Sequence, residues 1–229
     1  MKTIGLIGGM SFESTMEYYR IINEEVNKKL KSHHSAKILI YSFDFEELLE
    51  LRYELPRVGD MLSKAAQILE KGGADCILIC ANTMHVLADE VQSRITIPIL
   101  NIIDATAQEI KKRGITKVGL LGTQFTMEEE FYKGRLTDKH DIQVIAPDEA
   151  DRKMVHDIIF NELCVGQFKA SSKEKLLSAM NKLGQEGAQG IILGCTELPL
   201  IIKEGDTKIP QFNTTFIHAN LAVKFATEF

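Results

Sequence analysis

Two stretches of this sequence share one pattern but differ at the position where a reactive group would stand. Ile77–Leu87 reads ILICANTMHVL, and Ile191–Ile201 reads IILGCTELPLI. Each is an apolar run typical of a buried strand, followed by a small polar turn and then a helical pattern. The second turn carries the thiol of Cys195, and the first carries the methyl group of Ala81. A thiol can give or accept a proton or attack an electrophile, whereas a methyl group can do neither.

The surroundings of Cys195 allow two interpretations. Pro199 suits the first turn of a helix, so the sequence predicts that the thiol lies at a helix N-terminus. The positive end of the helix dipole would there favour the thiolate. The alternative is a small buried cysteine that only fills space. The spacing alone leaves both interpretations open.

The first turn offers polar side chains instead of a thiol. Asn82 and Thr83 are predicted to cap a helix over residues 84–93, and the same helix N-terminus could bind a carboxylate. These roles are compatible because they use different atoms. His85, one turn into this helix, and His218, near the C-terminus, are expected to support the structure rather than to react.

Glycine-containing turns follow two further strand-like runs. GLIGGMS, which includes Met10 and Ser11, lacks the spacing of a dinucleotide-binding loop, and no Gly-Lys-Ser/Thr follows it. We therefore expect it to bring the backbone close to a small ligand. Its counterpart GTQFTM, residues 122–127, offers the hydroxyl groups of Thr123 and Thr126.

Arg52 is the cation nearest to these turns in the first half of the sequence. Its guanidinium could bind a ligand carboxylate through two hydrogen bonds. A solvated surface arginine is the alternative interpretation.

Short apolar runs alternate with longer amphipathic segments along the whole chain. This alternation predicts βαβ units with parallel sheets, and runs that are apolar throughout indicate strands buried on both faces. The predicted strands are 3–8, 36–42, 75–81, 97–101, 117–122, 142–147, 190–195 and 209–213. The predicted helices include 13–31, 59–72, 149–164, 172–186 and about 215–229.

An internal repeat organises these elements. IGLIG, residues 4–8, matches VGLLG at 118–122, and GGADCILICANT, residues 72–83, matches EGAQGIILGCTE at 186–197. Both matches have an offset of 114 residues without a gap. Two matches at one offset indicate duplicated halves.

The repeat predicts two pseudo-symmetric, three-layer α/β domains. We assign residues 1–98 with 211–229 to the first and residues 99–210 to the second. Ligands of parallel α/β sheets bind beyond the carboxyl ends of the strands. We therefore expect a cleft between the domains, with positions 81 and 195 on opposite walls.

The composition argues against a nucleic-acid-binding, membrane-spanning, secreted or metal-binding protein. The 229 residues are 45% hydrophobic and 26% charged with a net charge of −5, and no basic run indicates a nucleic-acid surface. No apolar run approaches roughly 18 residues, so no membrane span is predicted. The N-terminus has no signal-peptide pattern. No pair among the four cysteines has the spacing of a metal site, so we expect reduced thiols, no metal and a cytoplasmic protein.

Five segments together resemble the cofactor-independent aspartate/glutamate racemase family, in particular its broad-specificity bacterial amino-acid racemases. They are MKTIGLIGGMSFEST, ANTMH, LLGTQFTM, LGCTEL and IHA, and they span the chain from residue 1 to about 219. The resemblance implies an isomerase that needs neither pyridoxal phosphate nor metal. Two groups would face opposite sides of an acidic amino acid, one removing the Cα proton and one returning a proton. Members of the family are often dimers, so a homodimer is expected.

The resemblance also assigns residues to roles. Cys195 falls on the catalytic cysteine of the second half, and Ala81 falls where the family has cysteine or, less often, threonine. The substrate-binding residues implied are Asn82, Thr83 and Thr196 for the α-carboxylate and amino group, Met10 and Ser11 on one wall, Thr123 and Thr126 on the other, and Arg52 for the distal carboxylate.

Alanine at position 81 allows several interpretations of the function, because the alanine side chain cannot give or accept a proton. The protein could be a racemase crippled on one face, a one-base variant in which water or Thr83 acts slowly, or a binding protein for acidic amino acids. A one-cysteine decarboxylase of the same superfamily is a further alternative. Cys80 is not expected to substitute, since neighbouring residues of a strand point to opposite faces.

Overall fold

The computed structural model describes residues 1–51 and 54–228 and divides the chain into two compact units. Unit 1 comprises Met1–Ile102 and Thr215–Phe229, and unit 2 comprises Ile103–Thr214. The structure thus places the unit boundaries after Ile102 and Thr214, slightly later in the chain than the sequence-based boundaries after residues 98 and 210. No helix in the part of the chain that the structure describes is long and apolar enough to cross a membrane.

Unit 1 is built on a parallel sheet with strand order β2-β1-β3. Its elements are β1 (Thr3–Gly8), α1 (Phe12–Leu30), β2 (Lys37–Ser42), α2 (Phe45–Glu50), α3 (Leu55–Lys71), β3 (Cys76–Ile79), a 3₁₀ helix (Thr83–Leu87) and α4 (Ala88–Gln92). The segment predicted as a strand over 97–101 contributes only a single parallel bridge, between Ile77 and Ile99.

Both faces of the unit 1 sheet are buried, which explains why its central strands are apolar throughout. On one face, residues such as Leu6 and Leu78 form a cluster with Tyr18 and Ile22 of α1. On the other face, residues such as Ile79 pack with the buried side of α3. The result is the expected three-layer arrangement of helices, sheet and helices.

Unit 2 contains a parallel sheet with strand order β5-β4-β6-β7. Its elements are α5 (Ile102–Lys112), β4 (Lys117–Gly122), α6 (Gln124–Glu128), α7 (Glu130–His140), β5 (Gln143–Ile145), α8 (Glu149–Asn161), a 3₁₀ helix (Leu163–Val165), α9 (Ala170–Gln185), β6 (Ile191–Gly194), α10 (Leu198–Ile201) and β7 (Gln211–Asn213).

The same backbone contacts recur in the two units at the offset of 114 residues. The N–H of Asp75 donates to the carbonyl of Thr3 at 2.8 Å, and the N–H of Gln189 donates to the carbonyl of Lys117 at 2.9 Å. A second hydrogen bond joins each pair in the opposite direction. The side chain of Asp75 accepts from Thr3 N–H, and the side chain of Gln189 accepts from Lys117 N–H. Equivalent residues therefore fix the start of each central strand against its neighbour.

The C-terminal helix α11 (Thr214–Thr227) belongs almost entirely to unit 1. The N–H of Lys2 donates to the carbonyl of Ala226 at 3.0 Å, and Ala219 and Ala222 lie in the unit 1 core. The sequence analysis expects this helix to return to the first half. β7, which precedes it, hydrogen-bonds to β6 of unit 2.

Replacing a core side chain of β3 should cost far more stability than replacing an exposed one of β2. Leu78 is fully buried, so Leu78→Ala should lower the free energy of unfolding by about 2–5 kcal/mol through lost burial and a cavity. Ile40→Ala, at an exposed position of the same sheet, is the matched control and should change it little. Urea denaturation followed by circular dichroism measures both, and equal losses would contradict the assigned core.

Candidate functional site

The turn after β6 holds a buried thiol against a buried carboxylate. Cys195, Thr196 and Glu197 are each less than a tenth exposed. The Cys195 thiol donates to Oε2 of Glu197 at 2.9 Å, and the Thr196 hydroxyl donates to the same oxygen at 2.9 Å. The sequence analysis missed Glu197. The sequence feature that could have identified it is a single charged residue in the otherwise uncharged stretch between a strand and the next helix.

The electrostatics of Cys195 differ from the sequence prediction. Burial raises the pKa of its thiol well above the usual value, and the neighbouring charges of Glu197 and Cys164 raise it further. The expectation that a helix dipole would favour the thiolate is therefore wrong. α10 does have Pro199 in its first turn, but it is only four residues long and offers a small dipole. Cys195 rests as a thiol whose proton points at a carboxylate.

The glycine turn of unit 2 lies beside this site, because β4 and β6 are neighbours in the sheet. Thr123 caps α6 by accepting from Thr126 N–H at 3.2 Å, and the two hydroxyl groups lie 3.0 Å apart. Nδ1 of His156 accepts from Gln124 N–H at 3.2 Å. These contacts hold the turn rigid while both threonine side chains stay buried.

Ala81 occupies the matching place in unit 1 and follows β3 after one intervening residue, Cys80. Its methyl group belongs to the cluster that packs with α3, and Cys80 belongs to the cluster on the opposite face of the sheet. Cys80 is fully buried, and burial raises the pKa of its thiol. The prediction that Cys80 points away from the position of Ala81 is confirmed.

The turn after Ala81 does not begin the helix that the sequence predicted. Asn82 has helical dihedral angles, φ −65° and ψ −48°, and its side chain does not cap the helix. Its carbonyl instead accepts from His85 N–H at 3.1 Å. The predicted helix over 84–93 is replaced by the 3₁₀ helix and α4, and the capping role predicted for the side chain of Asn82 is wrong.

His85 fixes the backbone at position 81. Its Nδ1 lies 2.8 Å from the Ala81 carbonyl, and its Nε2 accepts from Ile102 N–H at 3.1 Å. Nε2 must therefore be unprotonated, so Nδ1–H donates to the carbonyl and the ring is neutral. This agrees with the supporting role expected for His85.

His218 completes this buried network. It lies between the Tyr18 hydroxyl, 2.9 Å from Nδ1, and the Leu100 carbonyl, 2.6 Å from Nε2, and its ring packs edge-on against His85. Burial, followed by the neighbouring His85, lowers its pKa to about 3. His218 thus stays neutral near pH 7 and serves the structure, as expected.

The glycine turn of unit 1 follows β1. Gly9 has φ +85°, a left-handed conformation that favours glycine, and its N–H donates to the Thr15 hydroxyl at 2.9 Å. The side chain of Ser11 caps α1, and Met10 and Ser11 are both buried. The turn is therefore held by its own hydrogen bonds.

The structure collects the sequence-predicted residues into one group in each unit. In unit 1 the group lies after the carboxyl ends of the paired strands β1 and β3; its members are Met10, Ser11, Ala81, Asn82 and Thr83. In unit 2 it lies after β4 and β6; its members are Thr123, Thr126, Cys195 and Thr196. Arg52 lies outside the described residues. Among those described, no cluster of three or more His, Cys, Asp or Glu could hold a metal ion.

The family model for Asp/Glu/hydantoin racemases matches residues 7–222. The chain belongs to this family. A candidate Asp/Glu racemase from Yersinia pestis is 48% identical over the full length of both chains, with a TM-score of 0.93. An aspartate racemase homologue from Pyrococcus horikoshii is 39% identical, also over both full lengths, with a TM-score of 0.88.

A curated relative points to the same activity. The broad-specificity amino-acid racemase RacX of Bacillus subtilis is 24% identical over 218 residues, which cover 93% of this chain and 92% of RacX. The homologues of this racemase-family chain thus support an amino-acid racemase activity.

Glu197→Gln should lower the pKa of Cys195. The charge of Glu197 and its hydrogen bond both raise the pKa of the thiol, so a neutral amide removes both effects while it keeps the shape. At a fixed pH more thiolate forms, and alkylation of Cys195 becomes faster. The measurement is the pH dependence of iodoacetamide labelling, followed on the tryptic peptide 183–203. An unchanged or higher midpoint would contradict the assigned contact, and the buried Cys80 should stay unlabelled in both proteins.

Proposed function

We propose that this protein acts on aspartate or glutamate by moving the Cα proton without pyridoxal phosphate, and that Cys195 carries this proton on one face of the substrate. The observation that carries the proposal is the buried Cys195–Glu197 pair at the carboxyl end of β6 in a chain of the racemase family. A thiol that is buried beside a carboxylate has a built-in acceptor for its proton.

The proposed chemistry follows from the hydrogen bond. Glu197 takes the thiol proton when substrate is bound, and the Cys195 thiolate then removes the proton from Cα. The electron pair left on Cα delocalises into the α-carboxylate. In the reverse sense Cys195 returns a proton to the same face, with Glu197 restoring the thiol. Glu197 therefore acts through Cys195 and positions its proton.

The opposite face of the substrate would be served by position 81, which in this chain has only a methyl group. We propose that exchange of the Cα proton is fast on the Cys195 face and slow on the other, where water or Thr83 must act. Asn82, the residue after Ala81, is buried, whereas the polar side chain of Thr83 is half-buried. Racemisation, which needs both faces, is then limited by the unit 1 side.

The polar groups that follow the strands in each unit are the candidates for holding the substrate. We assign Asn82, Thr83 and Thr196 to the α-carboxylate and amino group. The walls would be Met10 and Ser11 in unit 1 and Thr123 and Thr126 in unit 2, with Arg52 for the distal carboxylate. Backbone N–H groups at such strand ends suit carboxylates.

One observation favours a second candidate. Only one of the two matched positions carries a thiol, and a decarboxylase needs just one protonation of a carbanion. In that case a substituted malonate would lose carbon dioxide and Cys195 would protonate the product. Release of carbon dioxide from such substrates, without exchange of amino-acid Cα protons, would select this candidate.

Proton NMR in D₂O tests the one-sided mechanism directly. For one enantiomer of aspartate or glutamate, we expect the rate of Cα proton exchange with solvent to be much higher than the rate of racemisation, which is followed by the optical rotation of the amino acid. Cys195→Ser should abolish this exchange, and Cys80→Ala should leave it intact because Cys80 lies on the other face of the sheet. Exchange at full rate in Cys195→Ser would overturn the proposal, and binding without any exchange would indicate a binding protein.

Restoring a thiol at position 81 provides the complementary test. Ala81→Cys should raise the racemisation rate by about 10²–10⁴-fold, the usual contribution of a general acid or base. Circular dichroism of the amino acid follows the rate. Ala81→Ser, which adds a group of similar size with a much weaker acid, is the matched control and should gain far less. Equal rates in Ala81→Cys and the parent would contradict the role assigned to this position.

We also propose a homodimer formed through one face of α1. Phe12, Met16 and Tyr19 are exposed at a spacing that places them on one side of this helix. Exposed apolar patches of this kind commonly mark protein–protein contacts. Met16→Glu should therefore shift the protein towards monomer in analytical ultracentrifugation, whereas Glu24→Ala on the same helix should not. A monomeric parent protein would exclude this proposal. The cytoplasmic location stays a prediction.

A further inference from the structure

The first turn of α6 depends on a side chain that comes from α8. A helix leaves its first backbone N–H groups without partners inside the helix. In α6 the N–H of Thr126 donates to the Thr123 hydroxyl, and the N–H of Gln124, the first residue, donates to Nδ1 of His156 at 3.2 Å. The imidazole therefore supplies the partner of a backbone donor within the Thr123–Thr126 turn.

Contacts one helical turn before and after His156 fix the imidazole against this turn. α8 packs against α6 and β4, and the ring centroid of Phe160 lies 4.7 Å from that of His156. Nε of Arg152 donates to the Glu128 carboxylate of α6 at 3.0 Å. The same carboxylate accepts from the side-chain amide of Gln124 at 3.0 Å. α6 and α8 are thus joined at both ends of the short helix.

The hydrogen bond from Gln124 to His156 exists in only one protonation state of the ring. Nδ1 accepts from an N–H group, so it carries no proton, the ring is neutral and the proton lies on Nε2. When Nδ1 is protonated, two donors face each other and the bond is lost. Histidine is the side chain whose charge ordinarily changes between about pH 5 and 8.

Other charged or titratable groups lie on α8 and on the elements packed against it. Of these, Glu128 is the one that also contacts Gln124, but it does so at the side chain and not at the backbone N–H. The backbone N–H of Gln124 therefore reports on His156 separately from Glu128. The remaining groups are the ion pairs Arg152–Glu128, Lys153–Asp157 and Asp151–Lys182 of α9, together with Lys117 of β4 and Cys164 of the 3₁₀ helix.

We propose that His156 is a positioning residue for the substrate wall of unit 2, and that its protonation releases the Thr123–Thr126 turn. The effect on catalysis rests on the proposed function, in which Thr123 and Thr126 line the substrate. While the ring is neutral, its contact with Gln124 helps to keep the two threonine hydroxyl groups 3.0 Å apart. Acid removes this contact and leaves Cys195 unchanged, so it weakens substrate binding rather than proton transfer.

NMR of the intact protein tests the hydrogen bond without any substrate. As the pH falls, the amide proton resonance of Gln124 should move upfield with the same midpoint as the His156 imidazole, because the bond that shifts it downfield is lost. In His156→Asn the side-chain oxygen can replace Nδ1 and does not titrate, so the resonance should stay downfield and constant. In His156→Leu it should stay upfield at every pH.

His33→Asn, at an exposed position of unit 1, is the matched control and should titrate as the parent does. The parent protein alone is sufficient to decide the question if a variant does not fold. A Gln124 resonance that stays constant between about pH 5 and 8, or that follows a midpoint other than that of His156, would overturn the proposal.

Substrate kinetics connect the hydrogen bond with the proposed function. His156→Leu should raise KM for Cα proton exchange by about 2- to 10-fold with kcat nearly unchanged, which is the effect of roughly one hydrogen bond. His156→Asn should restore the parent KM and should lose the rise in KM that the parent shows at low pH. Equal KM values in the two variants, or a change confined to kcat, would contradict the positioning role. If no protein exchanges Cα protons, the proposed function fails, while the Gln124 resonance still decides whether His156 holds the turn.

Discussion

The parallel pairing of each central strand with the strand that precedes position 81 or 195 is the constraint on which the group of turn residues in each unit depends. β1 and β3 run side by side in unit 1, as do β4 and β6 in unit 2, and the ladders have equivalent register: Gly5 faces Ile77 and Gly119 faces Ile191. Parallel strands end at the same edge of a sheet. A glycine or threonine turn is therefore always delivered next to the turn that carries position 81 or 195.

Within unit 2, this edge supports a carboxylate that would otherwise be costly to bury. A buried carboxyl group needs hydrogen-bond partners, and Glu197 has them in Cys195 and Thr196. The same arrangement keeps the thiol protonated until something changes the balance, such as a bound substrate. Both hydrogen bonds end on one oxygen atom of Glu197, so the geometry of the whole turn depends on the residue after the Cys-Thr pair.

Periodicity predicted the fold well because each unit buries its central strands on both faces, which leaves continuous apolar runs in the sequence. Local backbone geometry was harder to predict. Asn82 and Thr83 have the composition of a helix cap, but the tight connection held by His85 makes a 3₁₀ helix instead. The electrostatics of Cys195 were also misjudged from the sequence, because burial and a carboxylate two residues away outweigh a four-residue helix.

The last helix has a consequence for how the chain is made. α11 leaves β7 of unit 2 and fills the core of unit 1, whereas α5 leaves the end of the first half and lies in unit 2. Domains tend to fold from the N-terminus during synthesis. Unit 2 has all of its residues before α11 is translated, while unit 1, although it begins the chain, waits for the final residues. Unit 2 therefore does not need α11 for its core, whereas loss of α11 would take Ala219 and Ala222 out of the core cluster of unit 1 and leave α1 to cover that face of the sheet alone.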